Sequence, residues 1–351
     1  MREKLLEQLG IAHPIVQAPM AGVATPELAA AVTNSGGLGS LGIGASTPAQ
    51  ARAMIEQTQS LTSGPFNVNV FCHQPARRDA ALEMGWVQYL APLFAEAGIE
   101  PPDALSEIYT SFVEDDETFQ MLLELKPAVV SFHFGIPSPE CLSALKGAGV
   151  FTMATATSPG EAAKIEAAGI DAIVAQGIEA GGHRGIFNPE VTDEGLSTLA
   201  LVRLLSRQTT LPIIAAGGIM DGFAMKAALA SGAAAVQLGT AFVLCPESAA
   251  NEAYRAALKS ERASETRLTK VLSGRPARGI VNRLISFGEA KGSPPPADYP
   301  LAYDVAKRLN GAASKLGSHE FAAQWAGQGA PLARELSAAD LVALILEESV
   351  S

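Results

Sequence analysis

A histidine set among glycines, Gly181-Gly182-His183-Arg184-Gly185, follows closely on an apolar run, Ala172-Ile173-Val174-Ala175. Imidazole is the side chain best suited to proton transfer or anion stabilisation near neutral pH, and glycines beside it let backbone approach a ligand and adopt positive φ. The glycines leave His183 few local neighbours to bury it, so a reactive role is expected of it rather than loop packing. Two more glycine-bearing stretches, Gly217-Gly218 and Gln237-Leu238-Gly239-Thr240, end apolar runs of their own. A lone Gly-Gly is often a tight turn, but two such ends together offer backbone N–H groups to a phosphate, and a phosphorylated cofactor is the natural occupant.

A third constellation lies far along the chain. Tyr299, Tyr303 and Lys307 recur at i, i+4 and i+8. On a helix beginning near Pro300 that spacing lines two phenol hydroxyls and an ammonium along one face, a grip for a carboxylate or nitro anion. Tyr109 and Tyr254, from two other segments, are candidates to complete it. The competing reading is an amphipathic helix whose Lys307 reaches past apolar neighbours to water. His133, between Phe132 and Phe134, stays open between a site residue and a satisfied core histidine.

These residues need a scaffold that gathers them. Eight short apolar runs, 15–20, 38–42, 66–71, 128–134, 150–155, 172–177, 212–218 and 235–240, alternate with Ala-rich helical stretches. One such helix is opened by Thr25 as a cap, with Pro26 at its first position. Alternating βα units of this number predict a (β/α)8 TIM barrel, whose active site sits at the carboxyl ends of the strands. Those ends carry Met20 and Gly22, Asn69, His133, Gln176 with Gly181 and His183, Gly217 and Gly218, and the stretch Gln237, Leu238, Gly239, Thr240. Two segments, about 72–125 and 246–330, exceed simple barrel connections. The expected division is therefore a barrel over 1–245 that carries the first insertion, a mostly helical cap over 246–330, and a helix over 331–351 returning to the barrel.

Composition bounds the function. The 351 residues are 48% hydrophobic and 17% charged, enough for a large core, and exceed the roughly 250 of a typical barrel by about 100. A net charge of -11 without clustered Lys and Arg argues against nucleic acid, while a small anion can still bind through local positive charge. Cys72, Cys141 and Cys245 match no metal-ligand spacing, so no metal is expected and the thiols suit a reducing cytoplasm. The first residues lack an apolar signal core, and no run approaches about 18 apolar residues, so no membrane association is expected. Nothing in the sequence addresses oligomeric state.

Taken in order, Gln17-Ala18-Pro19-Met20-Ala21-Gly22-Val23, Gly181-Gly182-His183-Arg184-Gly185, Ala215-Ala216-Gly217-Gly218-Ile219, Gln237-Leu238-Gly239-Thr240 and Gly274-Arg275-Pro276-Ala277-Arg278-Gly279 resemble the FMN-dependent nitronate monooxygenases, formerly 2-nitropropane dioxygenases. The Tyr299, Tyr303 and Lys307 arrangement is similar to the bacterial class acting on propionate 3-nitronate. The resemblance implies FMN held by Asn69, Gln176, Gly181, Gly217, Gly218 and the 237–240 stretch, with Met20 and Gly22 against the flavin. It implies His183 as the catalytic residue, and Tyr109, His133, Tyr254, Tyr299, Tyr303 and Lys307 around a small anionic substrate. The implied reaction uses O2, begins with one-electron transfer to flavin, and yields 3-oxopropanoate with nitrite or nitrate, a detoxification. Relatives with this barrel and a similar Gly-Gly-His loop include NAD(P)H-dependent quinone and enoyl reductases, and that alternative stays open, as does the more remote one of a non-catalytic barrel binding a phosphorylated ligand.

Overall fold

The protein, described as a computed structural model over residues 1–350, is a barrel roofed by a second packed body. The barrel strands are β1 (Ile15–Gln17), β2 (Gly39–Gly42), β3 (Phe66–Phe71), β4 (Val129–His133), β5 (Phe151–Ala156), β6 (Ala172–Gln176), β8 (Ile213–Ala216) and β9 (Ala235–Leu238). All pair in parallel, in the order β1-β9-β8-β6-β5-β4-β3-β2, and a parallel bridge between Val16 and Leu38 closes the ring. The TIM-barrel expectation holds. The strands are shorter than the apolar runs suggest, because residues such as 18–20 and 217–218 leave the ladder to line the mouth.

A period of two along each strand divides the core into two layers. Ile15, Val68, Val70, Val130, Phe132, Ile173, Ile213 and Val236 face outward against Leu28, Val32, Ile55, Leu122 and Leu201 of the surrounding helices. Val16, Val129, Met153, Val174 and Ile214 face inward, where Leu5 and Leu9 of the helix Arg2–Leu9 pack on them. Burying each such side chain contributes about 1.5–3 kcal/mol. The helices start where polar caps dictate: Thr25 Oγ1 accepts from the Leu28 amide at 3.0 Å, with Pro26 first in the helix Pro26–Asn34.

The excess residues build their own core. Trp86 of the helix Ala80–Tyr89 and Leu93 and Phe94 of Ala91–Glu96 pack with Leu301, Val305 and Leu309 of the helix Leu301–Lys315. Tyr89 Oη donates to the Phe287 carbonyl at 2.8 Å and the Ser106 amide donates to Asp304 at 3.0 Å, so both insertions are tied into one roof.

The roof is helical apart from one feature. Strands β10 (Thr266–Thr269) and β11 (Ala277–Ile280) form an antiparallel hairpin, and β11 also pairs with β7 (Gly182–His183), setting Ala277 opposite His183. Ahead of β10 lie the helix Glu252–Leu258 and a 3-10 turn, Glu261–Ser264, from which the chain enters the hairpin.

Candidate active site

The carboxyl ends of the strands and the roof enclose a cavity of about 810 Å³. It is lined by Met20, Gly22, Asn69 and Gln176 from the barrel, by Gly181 and His183 from the loop after β6, and by Gly217, Gly218, Gln237, Gly239 and Thr240 from the last two strands. Tyr109, Tyr254, Tyr299, Tyr303 and Lys307 line it from the roof, and His133 from β4. Leu238 does not line it. Period two turns its side chain outward with Val236 into the helix-facing core, so only its backbone belongs to this end of β9.

His183 is held from two sides. Its carbonyl accepts from Gln176 Nε2 at 3.0 Å and from His133 Nε2 at 3.1 Å, while Gln176 Oε1 accepts from the Gly185 amide at 2.8 Å. His133 Nδ1 then accepts from Thr155 Oγ1 at 3.0 Å, so the hydrogen-bond network assigns its proton to Nε2. With both ring nitrogens used, His133 faces the cavity but acts on the loop. The His183 ring itself meets Ser273 Oγ through Nε2 at 2.9 Å. That hydroxyl can turn its hydrogen to His183 or to the Arg275 carbonyl at 3.2 Å, and so accommodates either imidazole tautomer.

Burial pushes the His183 pKa down to about 3, helped by the charges of His133, Arg275 and His73. Burial likewise lowers His133 to about 4. Both rings are therefore neutral at physiological pH. Aromatic edges surround His183: its ring centroid lies 5.1 Å from Trp325, 5.5 Å from Tyr299, 5.6 Å from Phe134 and 6.1 Å from Tyr303.

Lys307 stands beyond Tyr303. Its Nζ lies 4.8 Å above the Tyr109 ring and 5.6 Å from that of Tyr303, and desolvation lowers its pKa, with Asp304 opposing. Lys307 stays exposed, as the snorkelling alternative required, while its ammonium stands against two aromatic faces that stabilise a cation. Among the described residues, no other Lys or Arg lines the cavity. Tyr299 departs from the expected helix face. The helix is Leu301–Lys315, so Tyr299 precedes it and reaches the cavity from the entering turn, its buried hydroxyl lacking a partner. Tyr254 donates its hydroxyl to the Trp325 carbonyl, which commits it to the roof.

The glycines after β8 are demanded by positive φ and by close packing against protein atoms. Gly217 has φ +122° and Gly218 φ +69°, and a Cβ on Gly217 would meet Thr198 Oγ1 at 2.8 Å and the Ala180 amide at 3.1 Å. A cofactor phosphate there would rest on main-chain N–H groups, since among the described residues no cationic side chain lines this end of the cavity. Asn69 Nδ2, anchored to Ser131 Oγ at 2.9 Å, and Gln237 supply polar groups deeper in the barrel. The cavity falls within the range that holds a cofactor-sized ligand. The residues present therefore fit FMN.

Comparison with known proteins agrees with this geometry. The family model described as nitronate monooxygenase matches residues 2–348. The chain belongs to the nitronate monooxygenase family. It is therefore an oxidoreductase. A nitronate monooxygenase from Pseudomonas aeruginosa is 57% identical over 348 residues, covering 99% of both chains. The structure described in a crystallographic and mutagenesis study of nitroalkane oxidase from Streptomyces ansochromogenes superposes with a TM-score of 0.90 at 39% identity, over 100% of this chain and 98% of that one. FabK from Thermotoga maritima superposes with a TM-score of 0.75 at 29% identity, over 99% and 96%.

Several residues that shape this family member's site went unremarked in the sequence. Ser273 sits just before the Gly274-Arg275-Pro276 motif, a position that could have drawn attention to it. Trp325, one of two tryptophans, and Thr155 at the end of β5 carry no local signal; only the fold brings them beside His183 and His133.

Proposed function

We propose that this protein is an FMN-dependent monooxygenase of small alkyl nitronates bearing a distal carboxylate, with propionate 3-nitronate as the substrate that suits it. The observation that carries this reading is that, among the described residues, the one Lys or Arg lining the cavity, Lys307, stands 5.6 Å from the Tyr303 ring, whose centroid lies 6.1 Å from that of His183. A substrate anionic at both ends would set its nitronate against His183 and its carboxylate against Lys307.

Bound FMN supplies a one-electron acceptor and a route for that electron to dioxygen. The chain has to position and to stabilise charge. With its pKa near 3, His183 is a poor base for a carbon acid but a good neutral hydrogen-bonding group, which favours preformed nitronates over neutral nitroalkanes. Ser273, by donating to Nε2, leaves Nδ1–H free to donate to a nitronate oxygen. Tyr109 and Tyr303 stay protonated, since burial pushes both phenols up, Tyr303 to about 12, and they can donate to the carboxylate beside Lys307. Trp325, Phe71 and Tyr299 exclude water around the reacting end. The products would be 3-oxopropanoate and nitrite or nitrate, in keeping with detoxification in the cytoplasm.

Two comparisons test the reading. Anaerobic mixing of the FMN-loaded protein with propionate 3-nitronate should change the flavin absorbance near roughly 450 nm, whereas NADH should not. Bleaching by NADH with no response to the nitronate would replace this proposal by an NAD(P)H-dependent flavin reductase. With His183→Asn, equal losses on a nitroalkane and on its preformed nitronate are expected; selective loss on the nitroalkane would make His183 a dedicated base.

A further inference from the structure

Three arginines are buried around the cavity, and they are not alike. Arg184 is neutralised by Asp193, with Nε 2.6 Å and Nη2 3.0 Å from its two oxygens. Arg278 donates to the Ile178 carbonyl at 3.2 Å and to Thr266, and lies within electrostatic reach of Glu179. Arg275, only 4% exposed, has no carboxylate partner. One nitrogen donates to the Ile186 carbonyl, its Nε has no partner at all, and its guanidinium carbon lies 4.4 Å from the centre of the Phe134 ring.

The other face of this arrangement is the cavity wall. Phe134 presents its ring to His183 edge to face, at 5.6 Å and 88°. One acid, Glu161, acts on Arg275 through space without bonding to it: its oxygens accept from the Thr157 amide at 2.6 Å, Thr157 Oγ1 at 2.7 Å and the Phe187 amide at 2.7 Å. The remaining titratable groups about Arg275 are His73, His133, His183 and the Tyr299 phenol, none of them an anion at neutral pH. With no carboxylate bonded to it, and Glu161 acting only through space, this guanidinium is partly compensated, and in a low-dielectric interior its remaining field is weakly screened.

We propose that Arg275 is a fixed positive charge behind the His183 wall, which favours an anion at the reacting end of the cavity without touching it. This rests on the nitronate reading for the identity of the anion. Lys307 then secures the distal end of the substrate, and Arg275 acts on its nitronate head through the Phe134 layer.

The test uses the FMN-loaded protein and nitrate, a planar oxyanion shaped like a nitronate head, with binding followed by perturbation of the flavin absorbance. Arg275→Gln should weaken nitrate about tenfold, the scale expected for one charge several ångströms away in a partly buried setting. Arg275→Lys should bind nitrate nearly as wild type at pH 7 but lose affinity as pH rises, because a buried lysine sheds its proton where arginine does not. Wild type would follow only the titration of Lys307 that both proteins share. Should Arg275→Gln fail to fold, the Arg275→Lys comparison decides. Labelled histidine gives a second readout: among the five histidines, the signal assigned through His183→Asn should titrate at higher pH in Arg275→Gln. Wild-type nitrate affinity in Arg275→Gln, parallel pH profiles for wild type and Arg275→Lys, or an unmoved His183 titration would each overturn the proposal. Both readouts use resting protein, so failure to oxidise nitronates would count against the proposed function and leave this result separate.

Discussion

Replacing Lys307 by Met removes the one cationic side chain that, among the described residues, lines the cavity and keeps most of its apolar stem. An ammonium and a carboxylate about 4 Å apart attract by about 4 kcal/mol at an effective dielectric of 20. Desolvating both ends takes back part of that, and hydrogen bonds to charged groups contribute a net 1.5–3 kcal/mol or so. At about 1.4 kcal/mol per decade, kcat/KM for propionate 3-nitronate should fall by about 10- to 150-fold, mostly through KM. Ethyl nitronate, with no carboxylate, should change by about twofold at most. Steady-state oxygen consumption with both substrates measures the ratio. Equal losses on the two would mean that Lys307 supports the roof and not the carboxylate, and the charge-matching argument would be wrong. pH gives the sign independently. The carboxylate needs protonated Lys307, and desolvation lowers the lysine pKa, so selectivity for the carboxylated substrate should fade on the alkaline side, earlier than an ordinary lysine would allow.

Ser273→Ala should leave His183 Nε2 without its 2.9 Å partner and lower kcat about tenfold with little effect on KM; an unchanged kcat would show that the ring is oriented by its aromatic neighbours alone. Gly181→Ala would drive a Cβ to 2.5 Å from the Gly327 amide and 2.6 Å from the Ala326 carbonyl carbon, so the His183 loop must move. We expect activity lost beyond any drop in melting temperature, and a variant with wild-type turnover would refute the close packing. Acid sensitivity follows from the buried histidines. His73 is lowered to about 4, first by burial and then by Arg275, while an unfolded histidine titrates near 6.5. Its contribution is whole above pH 6.5 and is lost as pH falls toward 4, by about 2 kcal/mol at pH 5. Urea midpoints of wild type and His73→Phe at pH 7 and pH 5 should differ in slope, and identical slopes would contradict the shift.

Much of this molecule is legible along the chain, because a barrel strand carries its signal locally. The runs that become β3, β6 and β8 are short and apolar or β-branched in the sequence itself, and glycine marks the ends of several of them. His183, Gly217 and Gly239 stand out for that reason, and Thr25 with Pro26 announces its helix. The roof is less legible. Nothing in Thr266–Thr269 or Ala277–Ile280 says that they form a hairpin, since that pairing is completed by Gly182–His183, some 80 or more residues earlier in the chain. The period-four spacing of Tyr303 and Lys307 places both on one helix, but it cannot say where that helix begins, and Tyr299 falls just outside. Leu238 shows the converse, a residue in the right motif whose strand parity turns it away from the cavity. The sequence by itself determined the βα repeat, the glycine-bearing strand ends and the histidine set among glycines, because each depends on neighbours within a few residues. Only the tertiary structure decided that Ser273 holds His183, that His133 is spent on a carbonyl and that Arg275 stands unpaired behind Phe134, because hydrogen bonds and fields act through space between segments that the chain keeps far apart.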